Sequence, residues 1–153
     1  MKQRMSIHEV DPNAAKAVLG LEKYVHSGSL DEKLLALVKI RASQINHCAW
    51  CLDMHVAEAR SAGAEQRQLD LIAAWREASR LFSPREQAAL AFTEQVTLIS
   101  QEGVSDDVWD ALKEEFEDTE IVTLLMAIAA INVWNRMNVT ARTQLLAEPY
   151  VAR

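Results

Sequence analysis

The chain has 153 residues, of which 50% are hydrophobic and 25% are charged, and it contains only four glycines and three prolines. This length suits one domain built around a single core, and so few turn residues predict helices rather than many short strands. A formal net charge of −6 at pH 7 argues against binding to nucleic acid or to an anionic membrane surface.

The N-terminal segment lacks the pattern of a secretory signal. Lys2 and Arg4 are basic, but no apolar run follows them. We therefore expect a cytoplasmic protein. In a reducing compartment the two cysteines are not expected to form a permanent disulfide, so their positions need another explanation.

Four helical segments are predicted in the first half of the chain, over residues 13–27, 31–46, 48–63 and 65–77. The second segment is apolar at too many positions for a one-sided surface helix, so it should be buried around most of its circumference. The third segment contains several alanines, which allow close packing, and it ends at a glycine suited to a helix C-terminus.

The second half begins with Ser83-Pro84-Arg85-Glu86, a capping box that predicts a helix reaching about Ile99. Ser105 caps a short helix, and a long helix follows over residues 118–146. The apolar run of this last helix, Ile121–Ile131, is shorter than the ~20 residues of a membrane-spanning helix. The predicted fold is therefore all-α, a single-domain helical bundle in which other helices or another subunit cover the C-terminal helix.

Cys48-Ala49-Trp50-Cys51 is a CxxC motif, and His55 follows its second cysteine by four residues, one helical turn away on the same face. A thiol attacks only as a thiolate, which a helix N-terminus or a nearby imidazolium favours, so His55 can activate Cys51. Cys48 lies close enough to form a disulfide with Cys51 after one of them has been oxidised. Such a pair can reduce a hydroperoxide through a sulfenic acid without a metal or an organic cofactor.

Three other interpretations of the motif stay open at this point. A zinc site is disfavoured because it needs four ligands, of which His47 is the only neighbouring addition, while His8 and His26 are distant in sequence. The cysteines could be inert core residues, since free cysteine is often buried, with His55 merely hydrogen-bonded in the interior. A thioredoxin fold is disfavoured because its redox motif follows a strand, and no strand is predicted here.

The residues around the motif resemble the core of alkylhydroperoxidase AhpD, in the carboxymuconolactone decarboxylase superfamily. The similarity is carried by residues 37–55, LVKIRASQINHCAWCLDMH, in which the CxxCxxxH spacing matches without gaps. Residues 73–77 and 130–136 also resemble segments of small AhpD-like proteins, and the similarity covers residues 13–142. The resemblance implies an all-helical fold whose protomers associate into trimers or hexamers, with the C-terminal helix in the core and at the subunit interface.

The same resemblance implies roles for the motif: Cys51 attacks the peroxide, Cys48 resolves the oxidised thiol, and His55 belongs to the proton relay. The family pattern usually adds a glutamate twelve residues before the first cysteine, and here that residue is Ala36. Without the carboxylate, His55 loses a group that orients it and stabilises its protonated form, so we expect weak activity.

Two other carboxylates could substitute for the missing one. Glu32 lies one turn before Ala36, and Glu58 lies one turn after His55. Either could serve if its side chain reaches inward, although carboxylates at such positions are usually solvated.

The remaining conspicuous residues are interpreted as structural. Trp75, Trp109 and Trp134 fall on apolar helical faces, where aromatic rings supply burial. Trp50, inside the motif, could shape a pocket for an organic peroxide or shield the disulfide from water. Four polar residues in apolar surroundings need hydrogen-bond partners if they are buried: Gln44, Asn46, Asn132 and Asn135.

The leading functional hypothesis is a thiol peroxidase, or disulfide oxidoreductase, that reduces small organic hydroperoxides through a reversible Cys48–Cys51 disulfide. Turnover would require a thiol or lipoyl-type electron donor. A second hypothesis is a redox-sensing or interaction module with little turnover, which Ala36 favours. A third is a decarboxylase of the wider superfamily, which is disfavoured because such relatives generally lack the cysteine pair.

Overall fold

Every regular element in residues 1–152, the part of the chain that the computed structural model describes, is a helix. The predicted all-α class is therefore confirmed. Single 3-10 turns lie at Ile72–Ala74 and Ser79–Leu81. The α-helices are α1 (Ile7–Val10), α2 (Pro12–Val25), α3 (Glu32–Ile45), α4 (Ala49–Ser61), α5 (Gln66–Leu71), α6 (Pro84–Thr97), α7 (Ile99–Glu102), α8 (Asp106–Glu115) and α9 (Asp118–Ala141).

Several of these helices begin at capping side chains that the sequence supplies. The Asp31 carboxylate accepts a hydrogen bond of 2.9 Å from the Leu34 N–H at the start of α3. Ser83 and Glu86 form the predicted capping box of α6, in which each side chain accepts from the backbone N–H of the other residue. Ser105 caps α8, also as predicted. These local bonds explain why the helix starts could be located from sequence.

Helix α3 is packed by neighbours on most sides. It contacts α4, α6 and α9, and every residue in Leu34–Ile40 is buried. One side of α3, which includes Val38, packs with residues of α8 and α9, and the other side, which includes Leu37, packs with residues of α4 and α5. The prediction of a helix buried around most of its circumference is confirmed, and it holds even for the charged Lys39.

The helix predicted over residues 65–77 is shorter than expected. Helix α5 ends early, and the 3-10 turn that follows it places Trp75 in the core, where it is 6% exposed. The Trp75 indole N–H donates to Glu94 Oε1 at 2.9 Å, and Arg41 Nε donates to the same oxygen at 2.7 Å. These tertiary contacts hold the segment in a conformation that local helical spacing does not indicate.

The C-terminal helix is also shorter than predicted. Helix α9 ends at Ala141 instead of continuing to Leu146, because Arg142 adopts a left-handed conformation with φ 55°. The backbone N–H of Thr143 then bonds the Asn138 carbonyl at 3.0 Å, which closes the last turn. The other predicted helix boundaries agree with the structure to within two residues.

Helix α9 combines a buried side with an exposed apolar stripe. Its 24 residues are long and apolar enough, by length and composition alone, to cross a membrane. In the structure α9 packs against α2, α3 and α6, and its buried side belongs to the core. The predicted core position is thus confirmed. The exposed stripe consists of Val122, Leu125, Ala129 and Val133.

The N-terminal residues lie across the end of α9. The Arg4 backbone N–H donates to the Ala141 carbonyl at 2.9 Å, and the Arg4 guanidinium donates to the Thr140 carbonyl at 3.1 Å. Helix α1 packs on α2. This arrangement brings the first residues of the chain over the space between α2, α4 and α9.

Candidate active site

The CxxC motif begins at a tight turn between α3 and α4. His47 adopts a left-handed conformation with φ 54°, and Cys48 is the N-cap residue of α4. The side-chain amide of Asn46 donates to Asn132 Oδ1 at 3.0 Å and to Asn135 Oδ1 at 2.9 Å, both on α9. The turn is therefore anchored to α9 as well as to α3, which fixes the backbone of the cysteines.

Cys48 and Cys51 form a disulfide across the first turn of α4, with their Cα atoms 5.4 Å apart. Each cysteine is 1% exposed. The side-chain amide of Asn138 on α9 donates to Cys51 Sγ at 3.7 Å. The geometry agrees with the prediction that the two sulfurs can pair, and the Asn138 N–H is a donor that would also stabilise a Cys51 thiolate.

The histidines weighed as additional zinc ligands have other surroundings. His47 is exposed, and His26 bonds Glu32 through its Nδ1 at 2.9 Å. His8 borders the cavity described below. Within residues 1–152 no group of three or more His, Cys, Asp or Glu side chains could hold a metal ion. Cys48 and Cys51 are instead bonded to each other.

His55 lies one turn after Cys51 on α4 and is 2% exposed. Its Nδ1 is 2.7 Å from Glu58 Oε2. A carboxylate accepts hydrogen bonds, so in the neutral form of the imidazole the proton lies on Nδ1 and the lone pair on Nε2. This Nε2 is buried and has no hydrogen-bond partner among residues 1–152. In the neutral form of His55 this nitrogen is an unpartnered base one helical turn from Cys51.

Glu58, rather than Glu32, is the carboxylate that reaches His55. Burial raises the pKa of Glu58, but the hydrogen bond from His55 and nearby positive charge outweigh burial, so the pKa lies below its ordinary value of 4.5. The Glu32 side chain is 64% exposed and pairs with His26. Ala36 is buried and borders the same small cavity as both carboxylates.

A cavity of about 480 Å³ lies between α2, α4 and α9, with the N-terminal residues on one side. Cys51 and His55 both form part of its wall. Its apolar side chains are Ile7, Ala15, Leu19, Trp50, Met54, Trp134 and Met137. Its polar and charged side chains include Glu22, His26, Lys39, Glu58 and Asn138. Such a wall suits an organic molecule that carries a small polar group.

The cavity wall also contains a buried ion pair that was not predicted from the sequence. Lys39 is 3% exposed, and its Nζ lies 2.6 Å from Glu22 Oε2. The indole N–H of Trp134 donates to the other Glu22 oxygen at 3.1 Å. A lysine inside the apolar run 34–40 is a signal that could have indicated a buried cation, because lysines are seldom buried without a partner. Its partner lies on another helix and could not be identified from spacing.

Two of the four tryptophans have the surroundings expected of them: Trp75 is buried in the core, and Trp50 lines the cavity. Trp134 was expected to supply burial, but it is only partly buried and lines the cavity with Trp50. Trp109 is 44% exposed and covers Phe92 from outside, with ring centroids 6.4 Å apart. The four polar residues that required hydrogen-bond partners have them: Gln44, Asn46, Asn132 and Asn135.

Known proteins share both the sequence pattern and the fold. The model of the carboxymuconolactone decarboxylase family matches residues 12–95. The uncharacterized protein YdfG of Bacillus subtilis (strain 168) is 37% identical over 139 residues, which cover 91% of this chain and 94% of YdfG.

Two crystal structures are also similar. A protein of unknown function from Agrobacterium tumefaciens, named as a candidate antioxidant defence protein AhpD, is 42% identical with a TM-score of 0.91, over 96% of this chain and 100% of that one. An uncharacterized peroxidase-related protein with an AhpD core, from Ralstonia eutropha JMP134, is 22% identical with a TM-score of 0.80, over 92% of this chain and 74% of that one. The second likeness shows the fold alone. The chain thus belongs to the carboxymuconolactone decarboxylase family and has the AhpD-like helical fold.

Proposed function

We propose that this protein is a thiol peroxidase that reduces small organic hydroperoxides through a reversible disulfide between Cys48 and Cys51. The observation that carries the proposal is that His55 lines the same cavity as Cys51 and that its buried Nε2 has no hydrogen-bond partner among residues 1–152. A base at this place can take the Cys51 proton, and the thiolate is the form of cysteine that attacks peroxides.

In the proposed reaction Cys51 attacks and Cys48 resolves. Nε2 of His55 removes the Cys51 proton, and the thiolate attacks the terminal oxygen of the hydroperoxide ROOH. The O–O bond breaks, Cys51 becomes a sulfenic acid, and the leaving alkoxide takes the proton from His55 to give ROH. The Cys48 thiol then condenses with the sulfenic acid, which forms the disulfide and releases water.

The surroundings of the two sulfurs support this division of roles. Cys51 borders the cavity and accepts the hydrogen bond from Asn138. Both cysteines pack in a small buried cluster with Ala42 and Ile131, but Cys48 is not among the residues that line the cavity. A molecule that enters the cavity therefore meets Cys51, while Cys48 is within bonding distance of Cys51 once that thiol is oxidised.

The cavity lining supports an organic peroxide as the substrate. Apolar side chains from α2, α4 and α9 can cover an alkyl or aryl group, and each buried CH₂ contributes ~0.8 kcal/mol to binding. Because both cysteines are 1% exposed, the reductant must reach the disulfide with a slender thiol or lipoyl-type dithiol group. A donor of this chemistry is part of the proposal.

The proposal predicts a fixed stoichiometry. Reduced protein treated with one equivalent of cumene hydroperoxide should lose two thiols and release one equivalent of cumyl alcohol. Cys51→Ser should abolish peroxide consumption. Cys48→Ser should still consume one equivalent and retain a Cys51 sulfenic acid that dimedone traps. An unchanged thiol count in the wild-type protein would refute the peroxidase proposal.

Steady-state assays separate this proposal from the other hypotheses. With dihydrolipoamide as reductant, a peroxidase sustains peroxide consumption over many turnovers. A single rapid oxidation without sustained turnover would instead indicate a redox-sensing module. Activity on a carboxylic acid substrate that survives replacement of both cysteines would indicate a decarboxylase.

A further inference from the structure

Position 36 is where the resemblance to AhpD predicts a relay glutamate, and this chain has an alanine there. Ala36 is 3% exposed and borders a cavity of about 330 Å³ on the α4 side of α3. Glu58 borders the same cavity from α4. A carboxylate from α4 can therefore occupy space that a longer side chain at position 36 would take.

Glu58 lies one turn after His55, and its Oε2 is 2.7 Å from His55 Nδ1. We propose that Glu58 is the positioning residue of His55, and that it does from α4 what the relay glutamate of the family does from the preceding helix. The inference deepens the proposed function and rests on it for its effect on turnover. Glu58 acts through His55, and the reacting sulfur remains that of Cys51.

The hydrogen bond determines which nitrogen of His55 is basic. Because Nδ1 donates to the carboxylate, Nε2 is the nitrogen that accepts the thiol proton. After the transfer, the imidazolium is paired with the Glu58 carboxylate at hydrogen-bond distance, which favours the thiolate–imidazolium pair over the neutral pair. Glu58 keeps its negative charge throughout, as the acidic member of a Ser-His-Asp triad does.

The hydrogen bond from His55 and two groups on neighbouring helices keep the pKa of Glu58 low. Burial alone would raise this pKa, but the bond to His55 and the electrostatic contributions of Lys39 on α3 and His26 at the C-cap of α2 lower it. Lys39 is itself paired with Glu22. Further titratable groups border the same cavities: Glu32 on α3, His8 on α1, and Glu148 and Tyr150 in the C-terminal segment.

The test measures the reactivity of Cys51 in a Cys48→Ser background, where one thiol remains. The rate of alkylation by iodoacetamide as a function of pH gives the apparent pKa of that thiol. Glu58→Gln keeps the size of the side chain and removes its charge. It should raise the apparent pKa of Cys51 and lower the alkylation rate at neutral pH by about 10-fold to 100-fold, the range observed when histidine-orienting groups are removed from metal sites.

Three further variants distinguish positioning from a structural role. Glu32→Gln is the matched control, because it neutralises a carboxylate that borders the same cavity but pairs with His26. It should leave the pH profile unchanged. Glu58→Asp retains the charge and should retain part of the rate. Ala36→Glu, added to Glu58→Gln, returns a carboxylate to the family position and should move the Cys51 pKa back toward the wild-type value.

Identical pH profiles for Glu58→Gln and wild type, both folded by circular dichroism, would overturn the proposal. If Glu58→Gln does not fold, a Glu58→Asp variant without partial retention of the rate overturns it instead. The alkylation assay requires no peroxide, so the two proposals can fail separately. A shifted Cys51 pKa in a protein that consumes no hydroperoxide would leave the role of Glu58 intact and remove the peroxidase.

Discussion

Glu94 and Glu58 are both partly buried carboxylates whose pKa values are lowered, yet their surroundings differ in one respect. Both oxygens of Glu94 accept hydrogen bonds: Oε1 from Arg41 and Trp75, and Oε2 from Arg76. Burial raises the pKa of Glu94, and these three donors lower it further than burial raises it. The Glu94 carboxylate and its three donors thus satisfy one another by hydrogen bonds. Together they connect α3, α6 and the segment after α5.

Among residues 1–152, Glu58 has one side-chain partner at hydrogen-bond distance, which is His55 Nδ1. The other imidazole nitrogen, Nε2, is buried and has no hydrogen-bond partner among these residues. Lys39 lowers the pKa of Glu58, and Arg41 bonds Glu94. These two residues are two positions apart on α3, so their side chains point to opposite sides of the helix. The comparison teaches that satisfied polar groups hold helices together, whereas a buried group left unsatisfied marks the place where chemistry is expected.

The largest effect is expected at Lys39, which carries the buried positive charge on the Glu58 side of α3. Lys39→Met should reduce the free energy of unfolding by about 3 kcal/mol, because it leaves the Glu22 carboxylate without its cation. Urea denaturation measures the change. The double variant Lys39→Met/Glu22→Gln should recover most of the loss, because both charges are then absent. A double variant less stable than the single one would contradict this account.

A smaller loss of stability is expected at Glu94, with no effect on the thiols. Glu94→Gln should reduce the free energy of unfolding by about 2 kcal/mol, since Arg41 loses its partner while the more exposed Arg76 can be solvated. The apparent pKa of Cys51 should stay at its wild-type value. Glu58→Gln is the matched comparison, because it should change the Cys51 pKa while altering stability less. A changed Cys51 pKa in Glu94→Gln, together with an unchanged one in Glu58→Gln, would contradict the distinction between these two glutamates.

The pH dependence of stability sharpens the same comparison. Both carboxyl groups have folded-state pKa values below the ordinary value of 4.5, so near that pH the unfolded chain binds more protons than the folded protein. Their contribution is complete above 4.5 and is lost as the pH falls through the folded-state pKa values. Urea midpoints measured from neutral pH down to about pH 3 should therefore decline. Glu94→Gln should make this decline less steep. A decline as steep as that of the wild-type protein would argue against a lowered Glu94 pKa.

The smallest change in subunit stability is expected on the exposed stripe of α9. We propose that this stripe contacts another copy of the chain, in line with the trimers or hexamers that the family resemblance implies. Leu125→Lys should alter the free energy of unfolding by less than about 0.5 kcal/mol while reducing the assembly mass in sedimentation experiments. Leu71→Lys, at a similarly exposed leucine on α5, is the control. Equal masses for both variants and the wild type would argue against the α9 interface.

Local signals predicted much of the fold and part of the site. The capping box at Ser83 and the dense apolar pattern of α3 depend on neighbours within a few residues, so sequence alone located them. The CxxC motif with His55 is likewise local, since the N-cap and first two turns of α4 contain all three side chains. The helix ends at Leu71 and Ala141 were misplaced because contacts distant in sequence determine the first and a left-handed residue determines the second.

The choice between Glu32 and Glu58 shows where local signals stop. Glu32 lies one turn before Ala36, and Glu58 lies one turn after His55. Nothing in this spacing indicates which carboxylate reaches the imidazole. In the fold, His26 from α2 pairs with Glu32, and only Glu58 bonds His55. The Glu22–Lys39 pair could not be predicted for the same reason, because its two residues come from different helices that the fold brings together.

The alanine at position 36 affects how related chains should be sorted. A search pattern that demands an acid at a fixed distance before the cysteines discards this protein, although an acid does meet its imidazole in three dimensions. Because α3 and α4 pack together and positions 36 and 58 border one cavity, a side chain from either helix can reach this place. A filter that accepts an acid at either place, with a small residue at the other, would gather both kinds of chain.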